Sequence, residues 1–200
     1  MPHAAPAPHP TSPVQASLDA QRTRFAGLKD GQVASSIPDL AKADPRAFGI
    51  VIATVDGQVY EAGTTRECFT IQSISKPLVY GVALEERGPK RVRQSIGVEP
   101  SGDALNSISL EPGTGRPLKT MINAGAIAFA SLIHGETRET RLARVVGALS
   151  AYAGRPLSID EAVFESERST GHRNRAIGHV LRTYGISKDD PEPALELYFK

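Results

Sequence analysis

A β-branched run at residues 48–55, FGIVIATV, constrains the fold of this chain more than any other segment. It is almost continuously apolar, as is typical of a strand buried on both faces. The dipeptide Asp56-Gly57 follows it and favours a hairpin turn, after which residues 58–62 form the return strand. The sequence therefore predicts an antiparallel hairpin.

Helices are predicted on both sides of this hairpin by apolar spacing, capping residues and proline positions. Their expected ranges are 14–28, 32–43, 75–86, 121–132, 139–153, 176–184 and 191–200, and one more helix begins at a capping-box pattern at Ser158. Residues 69–71 are expected to form a short strand. Residues 97–117, which are rich in Gly, Pro and Ser, are expected to form a long packed loop.

Composition excludes several classes of protein. A net charge of +1 over 200 residues argues against nucleic acid or an acidic membrane as a main partner. Cys68 is the single cysteine, which fits a reducing compartment. The sequence has no run of about 18 apolar residues and no signal-peptide pattern. We therefore expect a cytoplasmic protein. Histidine spacing indicates no metal site, and no cofactor is implied.

Residues 1–13 are Pro- and Ala-rich and are predicted to be disordered, and residues 14–200 are predicted to form a single domain.

The tetrapeptide Ser73-Ile74-Ser75-Lys76 is the strongest candidate for chemistry. Positions three apart lie on one face of a helix, so the Ser73 hydroxyl and the Lys76 amine can meet. A serine needs a base to become a nucleophile, and a buried lysine at a helix N-terminus can be neutral enough to serve. A capped helix start with a solvated lysine explains the same four residues.

Two further polar features stand out later in the chain. Asn123 is the lone amide of an otherwise apolar segment, and it either caps a backbone break or contacts a ligand. The polar block at residues 166–176 precedes an apolar helix and is either a solvated helix junction or part of a binding site.

Seven blocks in order from about residue 31 to the end of the chain resemble the serine-dependent glutaminases, which share the fold of β-lactamases and penicillin-binding proteins. The blocks are GQVASSIPDLAKADP, FGIVIATVDGQVYEAG, FTIQSISKP, GVEPSGDALNSISLEP, GRPLKTMINAGAI, LSIDEAVFESERSTGHRNRAIG and ALELYF. The resemblance implies a mixed α/β (α+β) fold of the β-lactamase/transpeptidase type, an antiparallel sheet flanked by helices, incomplete at its C-terminal end.

The resemblance also implies roles for named residues. Ser73 is expected to be the nucleophile and to contact the substrate, with Lys76 as its base. The substrate-binding residues are expected to be Asn123, Glu167, Asn174 and Tyr198. The implied activity is hydrolysis of the side-chain amide of L-glutamine to L-glutamate and ammonia through an acyl-enzyme, in a homo-oligomer. A carboxylate such as Glu167 suits the α-ammonium of glutamine, and an amide such as Asn174 suits its α-carboxylate.

Two departures from the family pattern keep alternatives open. Ser36 stands where the family has an active-site tyrosine, and family members continue well past residue 200. We therefore expect this chain to show an exposed apolar sheet edge, self-association and low activity. One alternative function is a catalytically impaired glutamine-binding or assembly module, and another is a Ser-Lys hydrolase of a different amide or a β-lactam. The Ser-Asp-Asn and Lys-Thr-Gly motifs of β-lactamases are absent.

Overall fold

The computed structural model describes residues 12–100, 102, 107–187 and 190–200. The chain divides into two compact units, one ending at Phe69 and the other spanning Thr70–Lys200. The predicted disordered tail lies outside the described residues except for its last two positions, where Ser12 caps a helix that starts at Pro13. That residues 14–200 form a single domain stays a prediction.

The first unit contains one α-helix and one hairpin. Helix α1 spans Pro13–Phe25, and strands β1 (Gly49–Ala53) and β2 (Val59–Gly63) pair antiparallel with Gly49 opposite Gly63. The predicted turn is confirmed, because Gly57 has a φ of 86° and the Gly57 N–H donates to the Thr54 carbonyl at 3.0 Å. A positive φ costs glycine nothing, which explains its place in this turn.

The side chain of Gln15 joins helix α1 to strand β2. Its Nε2 donates to the Glu61 carbonyl at 2.8 Å, and its Oε1 accepts from the Glu61 N–H at 3.3 Å. Gln15 is buried, and so is Leu18 one turn further along α1. The helix therefore satisfies the backbone of β2 at Glu61, on the edge that β1 does not cover.

Three sequence predictions for this part of the chain were wrong. Strand β1 is not buried on both faces, since Val51 is 50% and Ile52 41% exposed, and β2 is its only paired strand among the described residues. The predicted helix over residues 32–43 is only a 3₁₀ turn, Pro38–Lys42, because the residue before a proline avoids the helical region and Ile37 is extended. Residues 69–71 form no strand, because Ile71 already has helical φ and ψ.

The second unit is helical. Its helices are α2 (Ser75–Ser95), α3 (Asn123–Ala130), α4 (Arg138–Ala153), α5 (Glu161–Thr170), α6 (His172–Thr183) and α7 (Glu192–Phe199). Gly88, with a φ of 74°, breaks α2 where the sequence predicted its end, and the helix resumes at Pro89. The cap of α5 is Asp160 rather than the predicted Ser158, because the Asp160 carboxylate accepts from the N–H groups of Ala162 and Val163.

Helix α3 lies at the centre of this unit and contacts α2, α6 and α7. Its residues from Ala124 to Ala130 are all buried. Small side chains let the chain approach closely, and a Cβ on Gly125 would lie 2.3 Å from the Lys119 carbonyl oxygen. The core around α3 also contains the fully buried side chains of Val92, Ile177, Leu181 and Leu195. This packing fixes the first residues of α2, α3 and α6, which supply part of the candidate site.

Candidate active site

Lys76, in the first turn of α2, is buried in the second unit with only 5% of its surface exposed. Its Nζ donates to Asn123 Oδ1 at 2.7 Å, and no carboxylate oxygen lies within ion-pair distance of it among the described residues. Burial lowers the pKa of the Lys76 ammonium below its ordinary value of 10.5, and the nearby negative charge of Glu167 opposes part of that shift. Burial therefore disfavours the charged ammonium relative to the neutral amine, which is the form that can accept a proton.

Asn123 links Lys76 to the next helix. It is the first residue of α3 and follows the extended Ile122, so its amide lies at the helix N-terminus. While Oδ1 accepts from Lys76, Nδ2 donates to Asn174 Oδ1 at 3.2 Å. Asn123 therefore makes a defined side-chain contact on each side, and it does not cap a backbone break.

Asn174 and Tyr198 continue this group of contacts. Asn174 lies in the first turn of α6, and its side chain hydrogen-bonds to the phenol of Tyr198 on α7. Burial and the Glu167 charge raise the pKa of Tyr198 above its ordinary value, and the Asn174 hydrogen bond opposes this shift. The tyrosine is thus a neutral hydroxyl that can donate.

Glu167 is the acidic member of the group. It is half-buried on α5, and burial raises the pKa of its carboxyl to about 7, against the opposing effect of the Lys76 charge. The Lys76 and Glu167 charges act on each other, and each group is pushed towards its neutral form by burial. No ion pair of the described residues includes Glu167, so a cationic ligand beside it would supply a close countercharge.

Ser73 occupies the 3₁₀ turn Gln72–Ile74 directly before α2, and it is exposed. Among the hydrogen bonds of the described residues, none joins the Ser73 hydroxyl to Lys76. Catalytic hydrogen bonds are often long in unliganded sites, so this geometry is compatible with the expected role of Ser73 as a nucleophile. Ser36, the residue that departs from the family pattern, lies exposed in a bend of the first unit.

The structure brings five of the six predicted site residues into one group, namely Lys76, Asn123, Glu167, Asn174 and Tyr198. Sequence reasoning missed Gln72, whose φ of 46° makes it the one described non-glycine residue with a positive φ. Its only sequence signal is its place directly before Ser73.

Neither a metal site nor a membrane span is found in the described part of the chain. No cluster of three or more His, Cys, Asp or Glu side chains there could hold a metal ion. Within the same residues, no helix combines the length and apolar character needed to cross a bilayer.

The group thus combines a serine at the entry to α2 and a desolvated lysine in its first turn with two amides, one carboxylate and one phenol from four further helices. A Ser-x-x-Lys pattern is also carried by enzymes of the β-lactamase-like fold. The glutaminase family model matches residues 31–200. The chain therefore belongs to the glutaminase family.

Individual relatives agree with this assignment. A glutaminase of Trichormus variabilis is 48% identical over 189 residues, which cover 94% of this chain and 57% of the relative. A solved structure described as Mglu in its glutamate form matches with a TM-score of 0.87 and 42% identity over 94% of this chain and 43% of that one. The probable glutaminase ybaS matches with a TM-score of 0.88 and 38% identity over 93% of this chain and 60% of the other.

These matches confirm the predicted mixed α/β, glutaminase-type fold. The chain spans about 57% of the length of the first of these curated relatives.

Proposed function

We propose that this protein hydrolyses the side-chain amide of L-glutamine, giving L-glutamate and ammonia. One observation carries the proposal: Lys76, three residues after Ser73, is buried, and its Nζ donates to the neutral amide of Asn123 rather than to a carboxylate. Burial lowers the pKa of this lysine and so favours the neutral amine, which is the form that can act as a base. Membership of the glutaminase family supports the same reaction.

The side chains around Lys76 suit a free amino acid. Glu167 carries the negative charge that a substrate α-ammonium would pair with, while the Asn174 amide and the Tyr198 hydroxyl can donate to an α-carboxylate. One structural neighbour is described in its glutamate form, and glutamate is the product of the proposed reaction. With its α-groups held there, the side-chain amide of glutamine would extend towards Ser73.

The proposed reaction has two steps. Ser73 Oγ attacks the amide carbon of glutamine while the Lys76 amine takes the hydroxyl proton. The C–N bond then breaks and the nitrogen takes a proton from the lysine ammonium, so that ammonia leaves and a γ-glutamyl ester of Ser73 remains. Water attacks this ester, Lys76 takes one proton from the water and returns it to Ser73 Oγ, and glutamate is released. The Ser73 N–H, near the start of α2, can donate to the oxyanion in both steps.

Both titrating groups give the reaction the same pH dependence. Glu167 has a pKa of about 7 and must be ionised to pair with the substrate ammonium, and Lys76 must be neutral to accept a proton. Each condition is met better as pH rises. We therefore expect kcat/KM to increase through about pH 7.

The test is ammonia release from L-glutamine by the purified chain, with Ser73→Ala beside it. Ser131→Ala is a matched control, because the Ser131 hydroxyl donates to the Ala128 carbonyl in the last turn of α3. We expect release that is lost in Ser73→Ala and kept in Ser131→Ala. Release that survives Ser73→Ala, or no release from the unaltered chain, would contradict the proposal.

A second candidate function is glutamine binding without turnover. It is favoured by the exposed position of Ser73 and by the lack of a Ser73–Lys76 hydrogen bond among the described residues. Calorimetry separates the two functions: binding of L-glutamine that needs Glu167 but produces no ammonia identifies a binding module.

The cellular location and the oligomeric state of the protein are also proposals. We infer a cytoplasmic homo-oligomer, which the single cysteine and the family membership support. Sedimentation of the purified chain tests the oligomeric part, since a monomer over the micromolar range would contradict it.

A further inference from the structure

The backbone of Gln72 is unusual in a way that the proposed chemistry does not use. Its φ of 46° lies in the left-handed region, while Ile71 directly before it and Ile74 two residues after it have φ values of −64° and −63°. Non-glycine residues avoid this region because the Cβ approaches the backbone, and those that adopt it cluster at functional sites. Gln72 thus places one strained residue immediately before Ser73.

The contacts of Gln72 hold its backbone rather than its side chain. Its carbonyl accepts from the Ser75 hydroxyl at 2.7 Å and also from the Ser75 backbone N–H. Its side-chain amide makes one long hydrogen bond, 3.4 Å to Thr70 Oγ1. Two donors from the first residue of α2 therefore fix the peptide that leads into Ser73.

Other turns in this chain are made differently. Nine described glycines adopt a positive φ, among them Gly57, Gly88 and Gly154 at a hairpin, a helix break and a helix end. Glycine would relieve the strain at position 72, but it would also leave the backbone free to move. A glutamine with a Cβ restricts the left-handed conformation to a narrow range, which a turn of purely structural use does not need.

We propose that Gln72 is a positioning residue, whose restrained left-handed backbone aims the Ser73 hydroxyl at the acyl carbon. This inference rests on the proposed function, in which Ser73 is the nucleophile. If residue 72 adopted an ordinary helical φ, this angle would change by roughly 110°, and the Ser73 hydroxyl would no longer point at the acyl carbon. Apart from Ser73, the residues expected to bind substrate lie on α3, α5, α6 and α7, so the placement of Ser73 should affect kcat and spare KM.

The experiment compares Gln72→Gly, Gln72→Asn and Gln32→Gly with the unaltered chain. Asparagine tolerates the left-handed region and keeps a Cβ, so it should preserve the restraint. Gln32 lies exposed outside helices and strands, with no positive φ, and gives the same substitution without strain to relieve.

Three readouts are needed. They are kcat and KM for L-glutamine, the melting temperature, and the rate at which a fluorophosphonate probe labels Ser73. Intact-mass spectrometry measures the labelling rate. For Gln72→Gly we expect kcat and the labelling rate to fall about tenfold, KM to change less than about twofold, and the melting temperature to rise by about 1–3 °C. Gln72→Asn should keep kcat and labelling within about threefold, and Gln32→Gly should leave both unchanged.

Unchanged kcat and labelling in Gln72→Gly would overturn the positioning role, as would a KM that changes as much as kcat. Loss of both rates in Gln72→Asn would also overturn it, because that variant keeps the restraint. The labelling rate and the melting temperature do not require glutamine turnover. If the chain releases no ammonia, the proposed function fails while these two readouts still decide the role of Gln72.

Discussion

The two compact units of this chain contain similar apolar residues but bury them to different extents. Among the described residues, the first unit has only Leu18 and Ala62 as buried apolar side chains, whereas Val51, Ile52 and Val55 on its hairpin are exposed. In the second unit, helices around α3 enclose a continuous core. One helix and two strands cannot cover both faces of a sheet, so burial depends on the number of packed layers and not on residue type alone.

The largest expected effect comes from testing that comparison with a matched pair. Ile177→Ala, at a fully buried position of α6, should lower the free energy of unfolding by about 2–5 kcal/mol. Ile52→Ala, on the exposed strand, should lower it by less than about 1 kcal/mol. Urea denaturation followed by circular dichroism measures both, and equal losses would break the contrast between the units.

Glu167→Gln tests the polar part of the second unit. Removing the charge that pairs with the substrate ammonium should raise KM for L-glutamine about 10²-fold, with a smaller effect on kcat. Glu165→Gln is the control, since Glu165 lies on the same helix but is exposed and paired with Arg168. Steady-state ammonia release gives both constants, and a similar KM in the two variants would exclude Glu167 from substrate binding.

Gln15→Ala tests the polar link between helix α1 and strand β2 in the first unit. It removes both hydrogen bonds to the Glu61 backbone, so the free energy of unfolding should fall by about 1–2 kcal/mol. Gln21→Ala, at an exposed position of the same helix, should change it by less than about 0.5 kcal/mol. Denaturation curves of both variants provide the measurement, and no difference between them would show that the Gln15 link adds nothing to stability.

The smallest effect is the pH dependence of stability that Glu167 causes. Its folded pKa of about 7 lies above the ordinary 4.5, so its protonated form favours folding. The stability it contributes is present below pH 4.5 and is lost as pH rises through about 7. Because the side chain is only half-buried, Glu167→Gln should be more stable than the unaltered chain by about 1 kcal/mol at pH 8, with no gain at pH 4. A gain that is equal at both values would contradict the assigned pKa.

The sequence predicts those features that depend on local pattern. The helices α3, α4 and α7 and the hairpin turn were expected close to where they lie, because apolar spacing and the Asp56-Gly57 dipeptide act locally. An exposed sheet edge was expected from the family comparison, but the exposed faces of β1 were not, because an apolar strand does not reveal how many layers cover it. The 3₁₀ turn at Pro38 was missed for a local reason, the effect of a proline on the residue before it.

The candidate site likewise has features that the sequence predicts and features that it does not. The Ser-x-x-Lys spacing pointed to Lys76, and the family resemblance pointed to the side chains around it. Their hydrogen bonds, such as that between Asn123 and Asn174, join residues 51 positions apart and depend on how the helices pack. The left-handed φ of Gln72 could not be predicted from its residue type, since glutamine rarely adopts it.

The central claim is that the second unit desolvates Lys76 enough for it to serve as a base. The most direct test is a pH titration of the Lys76 side chain by NMR, with ¹³C-labelled lysine and Lys76→Arg for assignment. We expect a pKa below 10.5, and a lower one in Glu167→Gln, because the Glu167 charge opposes the effect of burial. A Lys76 pKa at or above 10.5, or one that Glu167→Gln does not change, would contradict the claim.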